Sequence, residues 1–90
     1  MAKIIKTTDE VIEVEPKNGT DFRLEELKEI VGGYIQIVYL SNDEIMVMDE
    51  EGKLKHKDLN LIASKRFRKD VNRYDSVVGD VLVCKNNQIK

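Results

Sequence analysis

Leu27-Lys28-Glu29-Ile30-Val31-Gly32-Gly33-Tyr34-Ile35-Gln36-Ile37-Val38-Tyr39-Leu40 decides the fold, because its apolar residues change from helical to extended spacing at the glycine pair. Leu24, Leu27, Ile30 and Val31 form one helical face. Gly32 can take the left-handed conformation that closes a helix C-cap. Gly33 then leaves the main chain bare, so that another chain or a ligand can approach it, and Tyr34 adds a flat, half-polar surface at the same spot. A doubled glycine after a helix is also the ordinary signature of a cap and tight turn, and that reading stays open. Tyr34 to Leu40 is rich in branched and aromatic residues and reads as a strand; Ser41-Asn42-Asp43-Glu44 turns it back into Ile45-Met46-Val47-Met48. Both strands are apolar on both faces. One face is expected to meet the helix and the other to meet another subunit.

Working outward, Lys3-Ile4-Ile5-Lys6 and Val11-Ile12-Glu13-Val14 read as short strands joined by Thr7-Thr8-Asp9-Glu10, and Pro16-Lys17-Asn18-Gly19 ends the second. Thr20 or Asp21 is the expected helix cap, with Glu25 and Glu26 in the first turn, where the helix dipole favours acids. After Gly52, Leu54 can extend the sheet briefly. Asp58-Leu59-Asn60 opens a shorter helix, with Leu59, Ile62, Ala63 and Phe67 at helical spacing, and Val81-Leu82-Val83-Cys84 is the final strand. The expectation is one α+β domain over residues 1–90: a small mixed, mostly antiparallel sheet packed against one longer and one short helix.

Residues 1–52 carry 13 Asp or Glu against 5 Lys or Arg, and residues 53–90 carry 4 against 10, so an acidic part precedes a basic one. Lys65, Arg66, Arg68, Lys69 and Arg73 lie beside Phe67 and Tyr74, a composition suited to phosphate or nucleic acid. A solvated face, or contact with the acidic part of a neighbouring subunit, accounts for such a run equally. No apolar run approaches the roughly 20 residues of a membrane span, and no secretory signal opens the chain, so a cytoplasmic protein with no membrane partner is expected. Cys84 is the single cysteine, placed in an apolar strand where it reads as a small hydrophobe.

Catalytic chemistry is poorly provided for. His56, the single histidine, sits among Lys53, Lys55 and Lys57, and reads as an exposed turn residue without triad or metal spacing. Glu50 and Glu51 are adjacent on a turn and point apart, a poor arrangement for general acid or base work. Neither a phosphate-loop pattern nor a dinucleotide fingerprint occurs. No catalytic residue, metal ligand or cofactor is assigned, and the protein is read as not an enzyme.

Two stretches, Leu27-Lys28-Glu29-Ile30-Val31-Gly32-Gly33-Tyr34-Ile35 and Val47-Met48-Asp49-Glu50-Glu51-Gly52-Lys53-Leu54, resemble a family of small phage and mobile-element proteins that is known only as a domain of unknown function. Leu59-Asn60-Leu61-Ile62-Ala63 and Val78-Gly79-Asp80-Val81-Leu82-Val83 fit the same pattern, so the resemblance covers nearly the whole chain. The basic stretch Lys65 to Arg73 departs from it. Small phage proteins of this size include sponges, oligomers that sequester the cyclic nucleotide signals of bacterial defence systems such as CBASS and Thoeris. By that analogy the leading expectation is a phage homo-oligomer, in the host bacterial cytoplasm, that binds a cyclic nucleotide without cleaving it. The candidate ligand-binding residues are Gly32, Gly33, Tyr34, Asn60, Arg66, Arg68 and Arg73. Two alternatives stand beside it: a protein-binding inhibitor or adaptor using the apolar strands or the acidic surface, and, third, nucleic-acid binding through residues 65–73.

Overall fold

Val81, Leu82, Val83 and Cys84 form a continuous apolar run, and such a run is stable only where both faces of a strand are covered. In the computed structural model, which describes residues 2–41, 43–52, 54–65 and 77–89, this segment is the middle of the sheet. The elements are β1 (Ala2–Ile5), β2 (Val11–Val14), α1 (Leu24–Val31), β3 (Ile35–Ser41), β4 (Glu44–Asp49) and β5 (Val81–Lys85), followed by a short 3-10 turn at Asn86–Gln88. Residues 61–65 are also helical. The strand order is β2-β1-β5-β4-β3, and every pairing between these strands is antiparallel. Two hairpins, β1–β2 and β3–β4, are therefore joined through β5. No helix among the described residues is long and apolar enough to cross a membrane.

The period of two along each strand divides the core into two layers. On one face Ala2, Ile45, Val47, Leu82 and Cys84 pack with Phe22 and with Leu27 and Val31 of α1. On the other, Ile5, Leu40, Met46, Val81 and Val83 pack with Ala63 of the second helical segment and with Val77. This corrects the expected second face of the hairpin: the chain's own 61–65 segment and Val77 cover it, where a neighbouring subunit had been expected. Two smaller expectations also change. Leu54 does not extend the sheet but stands in a turn, 78% exposed. Leu59 is not yet helical; it makes an isolated antiparallel bridge to Val78, and Phe67 lies outside the described residues.

Helix α1 begins later than its cap residues suggested. Thr20 and Asp21 are taken by a turn, in which Asn18 Oδ1 accepts both of their backbone N–H groups at 2.9 Å. Phe22 bridges to Ile89, and the first helical residue follows Arg23. Glu26 replaces the missing hydroxyl cap: its carboxylate accepts the Arg23 and Lys17 N–H groups, both at 3.1 Å, and these hold its pKa below the usual carboxylate value.

Asn60 ties the second layer to the sheet. It is fully buried, its amide donates to the Ile5 and Gly79 carbonyls at 2.8 and 2.9 Å, and its side-chain oxygen accepts the Ala63 N–H at 3.1 Å as an N-cap. Removing it uncaps the 61–65 segment and takes one donor from each of two carbonyls, of which Ile5 O keeps its ladder bond to β5. Asn60→Ala is expected to cost about 3 kcal/mol, and so to lower the melting temperature by more than about 10 °C in a domain of this size. Asn60→Asp, which keeps the cap acceptor and loses the donors, should fall by nearly as much in the same thermal melt, because it sets a buried carboxylate against the Ile5 and Gly79 carbonyl oxygens.

Candidate functional site

The two motifs that the sequence singled out meet in space. Helix α1 closes at Gly32, whose φ of 84° is the left-handed conformation expected of it, and the Gly32 and Gly33 N–H groups both donate to Lys28 O, at 2.7 and 3.2 Å. The helix end leaves the Val31 and Gly32 carbonyls without helical donors. Lysines supply them. Lys57 Nζ donates to Val31 O at 2.5 Å and Lys55 Nζ to Gly32 O at 3.2 Å, where positive charge also suits the helix dipole.

Both lysines are held from below by Asp49, the last residue of β4. Its side chain is closed off from solvent, with Lys57 Nζ at 2.7 Å and Lys55 Nζ at 3.0 Å on one oxygen and the Glu51 N–H at 2.9 Å on the other. Burial pushes the Asp49 carboxyl up, but the Lys57 ammonium, the Glu51 N–H and the Lys55 ammonium outweigh it and bring the pKa down to about 2. The Gly52 N–H closes the turn onto Asp49 O at 3.1 Å, which sends the chain back so that residues 55 and 57 return to the carboxylate. This explains the bare main chain at Gly33. A Cβ there would lie 3.0 Å from both Asp49 carboxylate oxygens and collide with Lys55 Nζ, so what approaches closely is the chain's own ion pair.

Beside Lys57 lies an open cleft of about 480 Å³, walled by Thr7, Glu29, Gly32, His56, Asp58, Gly79 and Asp80. Asp80 is anchored: its Oδ1 accepts the Thr7 N–H at 3.0 Å. Lys57 is engaged with Asp49 and Val31. The Glu29 and Asp58 carboxylates make no hydrogen bond or ion pair among the described residues and are both exposed. His56 stands on an exposed turn with a φ of 56°. Among the described residues no group of three His, Cys, Asp or Glu is placed to hold a metal ion. Cys84 is buried in the sheet, and burial first, with Glu44 second, pushes its thiol up to about 11.

The candidate residues are thus dispersed. Gly32 lines the cleft; Gly33 is filled by Lys55 and Asp49; Tyr34 is exposed outside the cleft, with Lys28 Nζ 4.9 Å from its ring centre. Asn60 is inside the protein with both amide hydrogens spent on the Ile5 and Gly79 carbonyls, so it supports the Gly79 wall and offers a ligand no donor. Arg66, Arg68 and Arg73 lie outside the described residues. Sequence reasoning missed Asp49, Lys55, Lys57, Asp58 and Thr7 as parts of one site. The alternation of lysines around His56 was its visible trace.

A family model described as "Domain of unknown function (DUF3846)" matches residues 3–89. No curated protein and no solved structure matches the chain.

The ion pair sets a pH test. Asp49 has its folded pKa near 2, below the ordinary 3.8, so its contribution is complete above about pH 4 and is lost as pH falls through about 2. The contribution is on the order of 2 kcal/mol. Thermal melts at pH 7, 3 and 2 should show the wild type losing stability over this window. Asp49→Asn should start about 10 °C lower at pH 7 and show a flatter acid dependence; equal acid slopes in the two proteins would remove Asp49 from this role.

Proposed function

Since the chain belongs to the DUF3846 family, whose description assigns no activity, we propose from its residues and geometry that it is a phage-encoded immune-evasion protein. In this reading it acts in the host bacterial cytoplasm as a homo-oligomer, and sequesters a cyclic nucleotide signal of anti-phage defence without cleaving it. The observation that carries the reading is the cleft of about 480 Å³ beside Gly32 and Gly79, which falls within the ~300–1,000 Å³ range of small-ligand sites. It has room for about one nucleotide. Glu29 and Asp58 are suited to accept hydrogen bonds from the amino edge of a base, as carboxylates do in base readout. Arg66, Arg68 and Arg73 are the proposed phosphate partners, because a guanidinium grips two oxygens at once. The reading assigns no catalytic residue and no cofactor.

A second reading, a protein-binding inhibitor or adaptor, draws support from Glu10, Glu13, Glu15, Glu25 and Glu29, all of them exposed. Such a surface can imitate a nucleic-acid backbone for a basic host protein. Direct nucleic-acid binding through residues 65–73 is the third, and it predicts a steep loss of affinity with salt that a small ligand in a cleft would not share.

The test is a thermal melt with cyclic dinucleotides, cyclic trinucleotides and cyclic ADP-ribose isomers. A ligand at a hundredfold excess over Kd adds about 2.7 kcal/mol to the folded state, which corresponds to a rise of roughly ten degrees or more. Linear mononucleotides should do little. Heating the complex should release the ligand intact, and breakdown product would indicate an enzyme. Asp58→Asn and one or two of Arg66→Glu, Arg68→Glu and Arg73→Glu should abolish the rise. No shift with any of the panel, together with capture of a host polypeptide, would transfer the assignment to the inhibitor reading.

A further inference from the structure

The two edges of the sheet are built differently. Edge strand β2 contains Glu13, is flanked by Glu10 and Glu15, and runs into Pro16, which are the devices that keep an exposed edge from pairing. Edge strand β3 is Ile35-Gln36-Ile37-Val38-Tyr39-Leu40-Ser41: seven residues without a charge or a proline. Among the described residues nothing pairs with its outer side.

The register shows which groups that side presents. β3 and β4 pair Ile35 with Asp49, Ile37 with Val47 and Tyr39 with Ile45, and one step before them the Glu50 N–H donates to Tyr34 O at 2.9 Å. Hydrogen-bonded and non-hydrogen-bonded pairs alternate along an antiparallel ladder. Gln36 and Val38 therefore turn their main-chain groups to β4, and Ile35, Ile37 and Tyr39 turn theirs outward. The side chains of the same three residues point to the α1 face, where Ile35 packs against the core while Ile37 is 38% and Tyr39 69% exposed.

We propose that β3 pairs with β3 of a second copy of this chain, antiparallel, about a two-fold axis midway between the two Ile37 residues and perpendicular to the sheet. This register sets Ile37 against Ile37 of the second copy and Tyr39 against Ile35 of the second copy, at hydrogen-bonded positions that each exchange two main-chain bonds. The axis keeps the side chains of both strands on one face, so exposed Tyr39 gains an aromatic–aliphatic neighbour and Ile37 covers its own copy. Charge decides which of the two edges can take a second copy. A neutral strand pairs with itself without repulsion, whereas β2 against β2 would bring its glutamates together. The dimer is a continuous ten-stranded sheet whose remaining edges are the two acidic β2 strands, and so it stops at two copies. A contact of this length buries less than the ~800 Å² per partner of a standard interface, the size class of weak contacts, so the association is to be read at about 100 μM protein. It supplies a contact for the assembly that the ligand-sequestering reading calls for and uses none of that reading's ligand chemistry.

Light scattering coupled to gel filtration on the full chain should give a dimer mass at about 100 μM, and Ile37→Lys should give a monomer with an unchanged circular dichroism spectrum, a loss of at least about tenfold in association. A second measurement reads the register. Across the axis Ile37→Cys meets its own copy with Cα atoms ~5.5 Å apart and should oxidise rapidly to a covalent dimer, since Cys84 is buried and does not compete. Tyr39→Cys is about 14 Å from its own copy and should not oxidise alone, but should link to Ile35→Cys when the two variants are mixed. A monomer mass for the wild type at about 100 μM, a dimer that survives Ile37→Lys, or Tyr39→Cys linking as fast as Ile37→Cys would each overturn the proposal. A wild-type monomer would also remove the homo-oligomer from the sequestering reading, whereas a dimer of another register would overturn this contact alone; ligand binding itself is decided by the separate melt.

Discussion

Asp49 carries one buried negative charge on which three separate pieces of this protein depend. A carboxylate closed off from water is costly unless paired and hydrogen-bonded, and the pairing here is what shapes the region. To reach it, Lys55 and Lys57 must come back over the Gly52 turn; in reaching it, they arrive under the open carbonyls at the end of α1. The helix end, the end of β4 and the segment carrying Lys55 and Lys57 thus share one electrostatic centre, and Lys57 becomes one side of the cleft. Lysine suits this role because a long apolar stem can cross the protein surface and deliver a compact charge at its tip.

The architecture was largely legible because its signals are local. The change of period at Gly32 marks the end of α1 within one residue, and the apolar runs of β3, β4 and β5 found their strands with shifts of one residue at the ends. The cover of the second sheet face was not legible. The segment that supplies it, with Ala63 and Val77, has few large apolar residues, and the sheet face itself carried most of the hydrophobic signal. Thr20 and Asp21 look like caps in isolation; Asn18, two and three residues earlier, takes their N–H groups first. That competition between local side-chain bonds and the helix is invisible to a pattern read by residue type alone.

The site was legible in its motifs and not in its chemistry. Gly32, Gly33 and the Asp49-Glu50-Glu51-Gly52 turn were visible as unusual backbone, but nothing in their spacing says that one motif fills the space left by the other. Asn60, a candidate ligand-binding residue by sequence, is occupied by the Ile5 and Gly79 carbonyls, 55 and 19 residues away in sequence. Long-range partners of this kind carry no periodic signature.

The central place of β5 also governs how the chain can reach this structure. In order of synthesis β5 follows the other four strands, yet it is the one that joins β1 to β4. Until it arrives, β1–β2 and β3–β4 are two separate hairpins, each marginal alone in water and each with an inner edge open. Pairing β1 with β5 closes a loop of more than 70 residues (Ile5 to Val81), an entropic cost met before the contacts it permits are made. Folding is therefore gated by the insertion of one apolar strand between two waiting edges, and a chain interrupted before residue 81 would present those edges to its neighbours.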